Sequence, residues 1–202
     1  VRAYLAEKFR QTRPGGTLVV RDVTGFAERD RPVFMAARRD DGTDDGELDQ
    51  LSTYAKFKRF AQDFQAELRA QGRGGAGPAV AYEEAVVDGL PGFRLARWQD
   101  GVEFLTKMTY TDNWASEMNE AFAFWSLDEW KQALRDAGFA VVEDPERPKR
   151  GTHAYLSAWR VAHDFTGPDG VPRVAFYAEG PAGPEALPLP PTNMVLVGRR
   201  PT

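Results

Sequence analysis

A short apolar run bounded by turn residues, Leu18-Val19-Val20, is the feature that most constrains the fold of this chain. Pro14-Gly15-Gly16 precedes the run and Asp22 follows it. A continuous run of this kind, rich in β-branched residues, is typical of a strand that is buried on both faces. The apolar periodicity over Val1 to Gln11 predicts a helix in front of it. A helix, a Pro-Gly-Gly turn and a buried strand together form one αβ step of a doubly wound sheet.

The start of the chain already lies within this helical pattern. Val1, Leu5 and Phe9 recur at intervals of four residues, with charged residues between them. We therefore expect the chain to be a piece of a longer protein, and a processed N-terminus is the alternative.

Composition argues against several classes of function. The 202 residues carry a net charge of -4, so that binding of nucleic acid through neutralised phosphates is not expected. The chain has no cysteine, which excludes disulfides and thiolate chemistry and fits a cytoplasmic protein. Its two histidines, His153 and His163, do not have the spacing of a metal site. No apolar run in the sequence reaches the length that crosses a membrane, so that no membrane partner is expected.

A capped helix followed by a strand is predicted in the second half of the chain. Ser126-Leu127-Asp128-Glu129 has the pattern of a capping box, with Ser126 at the N-cap position and Glu129 at the third helical position. Trp125 and Trp130 are spaced for a hydrophobic staple, and Gly138 is placed to end the helix. Phe139 to Val142 is then a strand, which makes a second αβ step.

Two further helices are predicted in the middle of the chain. Aromatic residues at helical spacing between Tyr54 and Phe64 predict a long helix with an aromatic core face, which begins at Ser52 or Thr53. Val102 to Met108 indicates a short amphipathic helix, and a polar stretch over Thr109 to Glu120 follows it.

Three other segments indicate loops or turns. Gly72 to Pro78 is a glycine-rich loop, Leu90 to Arg94 a turn, and Gly180 to Pro191 a loop rich in proline and glycine. We expect all of them to belong to one domain over residues 1–202, with an insertion at about 26–125.

The order of these elements resembles the C-terminal half of class I, Rossmann-like S-adenosylmethionine-dependent methyltransferases. Arg13 to Asp22 is similar to the stretch with proline and two glycines that leads into their fifth strand. Ser126 to Phe139 is similar to the helix that leads to their sixth strand. Met194 to Pro201 is similar to their last strand, which the family inserts antiparallel between strands five and six. The resemblance spans the chain from end to end.

The resemblance implies an α/β fold with a mixed, mostly parallel Rossmann-like sheet, flanking helices and an antiparallel last strand. The family binds S-adenosylmethionine with a glycine-rich loop after its first strand and an acidic residue at the end of its second. Neither is in this chain, and Gly72 to Gly77 is no substitute because no strand is predicted before it. We therefore expect the N-terminal half of the sheet to be missing, no cofactor-binding residue to lie in this chain, and S-adenosylmethionine to bind through the missing upstream segment.

Two residues are weak candidates for catalysis. Asp22 lies at the end of the buried strand, where open α/β sheets place site residues, although an acid that caps the next turn explains it equally well. His163 is a candidate base near neutral pH, although a surface histidine is the more frequent case. The sequence shows no catalytic triad, and methyl transfer does not require one, because its main demand is to bring acceptor and methyl group together.

Substrate-binding residues are expected mainly in the polar stretch that precedes the capped helix. The candidates are Tyr110, Asn113, Trp114, Glu117 and Arg160. Trp114 and Glu117 would share one face of a helix. A helix start capped by Asp112 or Asn113 is the alternative for this stretch. Arg160 would hold an anionic acceptor, or its stem would simply cover apolar surface.

Two hypotheses of function stay open. The first is an enzyme, the acceptor-binding half of an S-adenosylmethionine-dependent methyltransferase that acts on a small molecule. The second is a non-catalytic, methyltransferase-like interaction module of a larger protein. The sequence upstream of Val1 discriminates between them, since a strand followed by Gly-x-Gly-x-Gly would support the enzyme.

Overall fold

The computed structural model describes residues 1–73, 77–181 and 183–202. These residues form two compact units, each with its own sheet. Unit 1 comprises residues 1–27, 123–157 and 190–202, and unit 2 comprises residues 28–122 and 158–189. The expectation of one domain with an insertion at about 26–125 stays a prediction.

The described residues contain six α-helices and nine β-strands. In chain order they are α1 (Arg2–Gln11), β1 (Thr17–Val23), β2 (Val33–Ala37), α2 (Thr53–Ala70), β3 (Tyr82–Val87), β4 (Leu90–Leu95), α3 (Trp98–Lys107), α4 (Trp114–Asn119), α5 (Leu127–Asp136), β5 (Ala140–Val141), β6 (His153–Tyr155), α6 (Ala158–His163), β7 (Val174–Gly180), β8 (Gly183–Leu187) and β9 (Asn193–Arg199).

Strand β9 lies at the centre of the sheet of unit 1. It pairs antiparallel with β1 along one edge and with β5 and β6 along the other, so that β1 and β5 run in the same direction without pairing. Helices α1 and α5 supply the apolar side chains that cover this sheet, among them Leu5 and Leu134, which are fully buried. Arg200, just after β9, donates hydrogen bonds to the backbone oxygens of Phe9 and Thr12 at the end of α1.

The expected mostly parallel, Rossmann-like sheet is wrong. Every strand pairing in both sheets of the described residues is antiparallel. The physical reason lies in the connections, because β3 and β4 form a hairpin, and short connections of this kind join antiparallel strands. In unit 1, β9 separates the two strands that would otherwise be parallel neighbours. Because the Rossmann-like fold is wrong, the expectation that the N-terminal half of such a sheet is missing is wrong as well.

The first strand is also less buried than its apolar run predicts. Within β1, Val20 is buried, Leu18 is half-buried and Val19 is 61% exposed. The strand has its core on one face only, and β9 is its one partner among the described residues. Alternation therefore decides the burial of each side chain here, as in a half-buried strand.

The capped helix is confirmed in detail. The Ser126 hydroxyl accepts a hydrogen bond from the Glu129 backbone N–H, and the Glu129 carboxylate accepts one from the Ser126 backbone N–H at 2.7 Å. The rings of Trp125 and Trp130 meet edge to face, with centroids 5.4 Å apart. Gly138 follows the helix at a φ of 100°, a conformation that favours glycine.

Unit 2 is built on a five-stranded sheet in the order β3-β4-β2-β7-β8, and α2 and α3 pack on it through aromatic side chains. The Phe57 ring of α2 lies 4.4 Å from that of Phe93 in β4 and 5.2 Å from that of Phe104 in α3. The turn expected at Leu90 to Arg94 and the loop expected at Gly180 to Pro191 are wrong, because they contain β4 and β8. Within the glycine-rich loop, residues 74–76 lie outside the described residues.

Because β1 is buried on one face only, the same substitution should have different effects at its two adjacent valines. We expect Val20→Asp to abolish soluble expression, because the carboxylate would be buried without a partner. Val19→Asp should stay soluble and keep its thermal midpoint within a few degrees, because its side chain faces outward. Expression of both variants and thermal melts followed by circular dichroism measure this difference. Equal loss of both proteins would show that β1 is buried on both faces.

Candidate functional site

A close approach of α3 to the sheet of unit 2 positions the candidate site. A Cβ atom on Gly101 would lie 2.5 Å from the Phe176 ring and 2.8 Å from Leu95, so that a side chain here would push the helix away. The close packing buries nine of the ten residues of α3. Three of them are charged, Asp100, Glu103 and Lys107, and their spacing places them on one face of the helix.

Lys107 is the centre of this charged face. Its side chain is fully buried, and its ammonium group donates hydrogen bonds to the backbone oxygens of Glu117 and Glu120. The same nitrogen lies 3.3 Å from Glu103 Oε1 and within 5 Å of the ring centroids of Phe64 and Phe122. Burial lowers the pKa of Lys107, and the Glu103 carboxylate opposes this effect. All three N–H directions of the ammonium group therefore have an acceptor.

The two acids of the same face are held in unusual states. Burial raises the pKa of Glu103 to about 7, although the Lys107 ammonium group and the backbone N–H of Phe122 both favour the ionised form. Burial also raises the pKa of Asp100 to about 6, although Arg97 makes two hydrogen bonds to its carboxylate. Perturbed acids that line a cleft are typical of functional sites, although buried ion pairs of purely structural importance produce the same shifts.

A cavity of about 420 Å³ opens beside Glu103, within unit 2. Its walls come from α2, α3 and the segments at 77–81 and 121–122; they include Phe64, Gln65, Leu68, Pro78, Arg97 and Phe122. This volume falls within the range of about 300–1,000 Å³ that small-molecule sites occupy. More of its lining surface is polar than apolar, and Gln99 and Glu103 contribute to it together with Gln65 and Arg97.

Three of the residues expected to bind substrate lie near one another at the end of α3. The Arg160 guanidinium group lies 5.5 Å from the Tyr110 ring centroid and donates a hydrogen bond of 2.7 Å to the backbone oxygen of Thr106. It also pairs with Asp164 at 2.8 Å. Burial raises the pKa of Glu117, with the charges of Lys107 and Arg160 opposing it. A cation at the carboxyl end of a helix is stabilising, so that the contacts of Arg160 account for a structural role.

Trp114 and Asn113 differ in exposure. Trp114 is the first residue of α4. Its side chain is buried, and its indole N–H donates a 2.9 Å hydrogen bond to Asp63 of α2. Asn113 is exposed at the N-cap position of α4, without a side-chain capping hydrogen bond. Trp114 therefore packs α4 on α2, and the substrate-binding roles proposed for these residues stay predictions.

The two weak catalytic candidates lie in different units. Asp22 is exposed in β1 of unit 1, where its carboxylate accepts a hydrogen bond from the backbone N–H of Val23. His163 is exposed at the end of α6 in unit 2, with its ring 4.8 Å from that of Trp159. Asp22 thus lies within a paired strand and not in a turn, His163 has the surroundings of a surface histidine, and a catalytic role for either stays a prediction.

The turn before β1 contains two glycines whose backbone N–H groups are bonded within the protein. Gly15 and Gly16 precede β1, and their backbone N–H groups are already bonded to the oxygens of Arg200 and Arg13. These two N–H groups are thus not free to bond a ligand, whereas the amides of a phosphate- or cofactor-binding loop point at their ligand.

Among the described residues, no group of three or more acidic or histidine side chains is placed to hold a metal ion. No helix in the same part of the chain is long and apolar enough to cross a membrane.

The charged face of α3 is the part of the site that sequence reasoning missed. Asp100, Glu103 and Lys107 look like the solvated face of an amphipathic helix, opposite Val102 and Leu105. The face is buried because α2 and the segment after α4 cover it, and both lie far away in the sequence. A local pattern carries no signal for such a covering.

In comparisons with known proteins, no protein-family model, curated protein or solved structure matches this chain.

The raised pKa of Glu103 predicts a dependence of stability on pH. The Glu103 carboxyl group stays protonated in the folded chain over a pH range in which it is already ionised in the unfolded chain. The stabilisation of the folded chain by this proton is therefore present at low pH and lost as the pH rises through about 7. Glu103→Gln cannot titrate. Between pH 5 and pH 8 its free energy of unfolding should therefore fall by about 2–3 kcal/mol less than that of the native chain.

Urea unfolding at both pH values measures this difference. Asp100 has a shift of the same sign and is present in both proteins. The matched control is Glu185→Gln, an exposed acid of β8, which should follow the native pH dependence. If Glu103→Gln and the native chain lose stability in parallel, Glu103 is ionised throughout this range.

Proposed function

We propose that this chain binds the methyl acceptor in an S-adenosylmethionine-dependent methyltransferase that acts on a small molecule. The proposal includes a cytoplasmic location, in keeping with the absence of cysteine from the sequence. The proposal places the cofactor on a segment outside these 202 residues, as the resemblance to the methyltransferase family implies.

The strand order of unit 1 is the observation that supports the proposal most. The last strand, β9, lies between β1 and β5 and is antiparallel to both. The capped helix α5 leads directly into β5. The three sequence segments that resemble the methyltransferase family are thus adjacent in space, in the order that the resemblance implies.

The cavity of unit 2 supports the acceptor-binding part of the proposal. It has the volume of a small-molecule site, and it is lined by an acid that exchanges its proton near neutral pH. An acceptor that must lose a proton is helped by such a group.

A non-catalytic interaction module is the second candidate. Such a module would keep the strand order of unit 1 without binding the cofactor. The two candidates differ in one property, which is whether the protein that contains this chain binds S-adenosylmethionine.

Titration calorimetry with S-adenosylmethionine tests the proposal. Residues 1–202 alone should give no measurable heat, and a protein that also contains the segment upstream of Val1 should bind the cofactor. The loop amides that contact adenosine and carboxylate groups belong to such a segment in enzymes of this kind. S-adenosylhomocysteine is the matched control, since it lacks only the transferable methyl group and its charge.

Failure of the longer protein to bind either compound would favour the interaction module. Tight binding by residues 1–202 alone would show that the cofactor site lies within this chain and that its location here is wrong.

A further inference from the structure

We propose that residues 120–122, which we call the strap, stay closed over α3 while the Glu103 carboxyl group holds a proton and open when that proton is lost. The strap directly follows α4, and two of its residues, Ala121 and Phe122, line the cavity. Opening of the strap would therefore remove one wall of the cavity. The inference does not depend on methyl transfer, because it concerns access to the cavity and not the molecule that enters it.

The strap is attached to α3 through two ionisable side chains. The Lys107 ammonium group donates a hydrogen bond to the backbone oxygen of Glu120. Glu103 Oε1 accepts a hydrogen bond of 3.4 Å from the backbone N–H of Phe122, and it lies 3.3 Å from Lys107 Nζ. The Glu103 carboxyl group thus contacts both the strap and the ammonium group that holds it. A change in the charge of this carboxyl group acts directly on the attachment of the strap.

The helix before the strap has anchors of its own. Met118 is buried, and the Trp114 indole N–H donates a hydrogen bond to Asp63 of α2. In the strap itself, Glu120 is exposed and Ala121 is half-buried. We therefore expect the strap to open while α4 stays packed on α2, as a local motion of a segment with little buried surface.

The exposure of Glu103 to water in the open form sets the direction of the effect. Burial raises the pKa of Glu103 to about 7 in the closed form, whereas a solvated glutamate has a pKa of about 4.3. The open form therefore loses the proton at a lower pH than the closed form. The stabilisation of the closed form by this proton is complete at low pH and is lost as the pH rises through about 7.

The charges around Glu103 act on this proton in opposite senses. The Lys107 ammonium group favours the ionised form of Glu103, and the Asp100 carboxylate favours the protonated form. Burial also lowers the pKa of Lys107, so that its own titration would favour the closed strap at high pH. The residues of α2 that line the cavity are uncharged: Phe64, Gln65 and Leu68. The other charged groups near the pair or the cavity are Glu117, Glu120, Arg73 and Arg97.

Hydrogen exchange of residues 1–202, followed by mass spectrometry, measures the opening of the strap. After correction for the intrinsic pH dependence of exchange, protection at residues 120–122 should fall by about tenfold or more between pH 5 and pH 8. In Glu103→Gln the side chain cannot ionise, and protection should change by less than about threefold over the same range. Lys107 is present in both proteins.

A low concentration of urea separates opening of the strap from unfolding of the whole chain. Opening of three residues exposes little surface, so that exchange at residues 120–122 should hardly respond to about 1 M urea. Exchange in the interior of α2 requires larger unfolding and should become faster.

The matched control is Glu117→Gln, which removes a second acid whose pKa burial raises and which also lies near Lys107. This variant should keep most of the native pH dependence. A further measurement needs no variant: the chemical shift of Glu103 Cδ reports ionisation of this group in the native chain. Its midpoint should coincide with the midpoint of the loss of protection.

Constant protection of residues 120–122 between pH 5 and pH 8 would overturn the inference, as would a parallel loss in the native chain and Glu103→Gln. Equal responses of the strap and α2 to urea would also overturn it, because the strap would then open only with the whole unit. A longer protein that binds no S-adenosylmethionine would contradict the methyltransferase and leave the strap unaffected.

Discussion

The burial of one ammonium group, that of Lys107, is the constraint on which the site of unit 2 depends. Removing such a charge from water costs several kcal/mol unless its surroundings replace the lost hydration. The replacement comes from one carboxylate, two backbone oxygens and two aromatic rings. Because the backbone oxygens belong to Glu117 and Glu120, the segment after α3 must close over the helix. That closure also brings Ala121 and Phe122 to the wall of the cavity.

Glu103 connects this structural pair with the cavity. One side of its carboxyl group faces Lys107, and the side chain also lines the cavity. Burial and the opposing charge of Lys107 hold its pKa near the physiological range. A local pattern shows only a charged helix face here, since the residues that cover the face come from α2 and from the chain after α4. The site therefore depends on tertiary contacts, and sequence reasoning located only its surroundings, such as Trp114 and Glu117.

The fold was predictable where short-range rules decide it. The capping box at Ser126 and the aromatic stripe of α2 were found because their signals lie within a few residues. Asp88-Gly89 is also a strong hairpin signal, and both residues have positive φ in the turn between β3 and β4, yet the sequence prediction missed it. The direction of the strands was mispredicted for a different reason. Helix-then-strand steps suggest a mostly parallel sheet, but short connections such as the β3–β4 hairpin make the five strands of unit 2 antiparallel.

Amide hydrogen exchange in Lys107→Met tests the central claim most directly. Methionine keeps the apolar stem but removes the ammonium group, so that the backbone oxygens of Glu117 and Glu120 lose their hydrogen bonds from Lys107. Exchange at residues 117–122 should become at least tenfold faster, while the interior of α2 keeps its protection. Lys58→Met, at a half-exposed lysine of α2, is the control and should change neither region. Unchanged exchange at residues 117–122 in Lys107→Met would show that the buried ammonium group does not hold the site together.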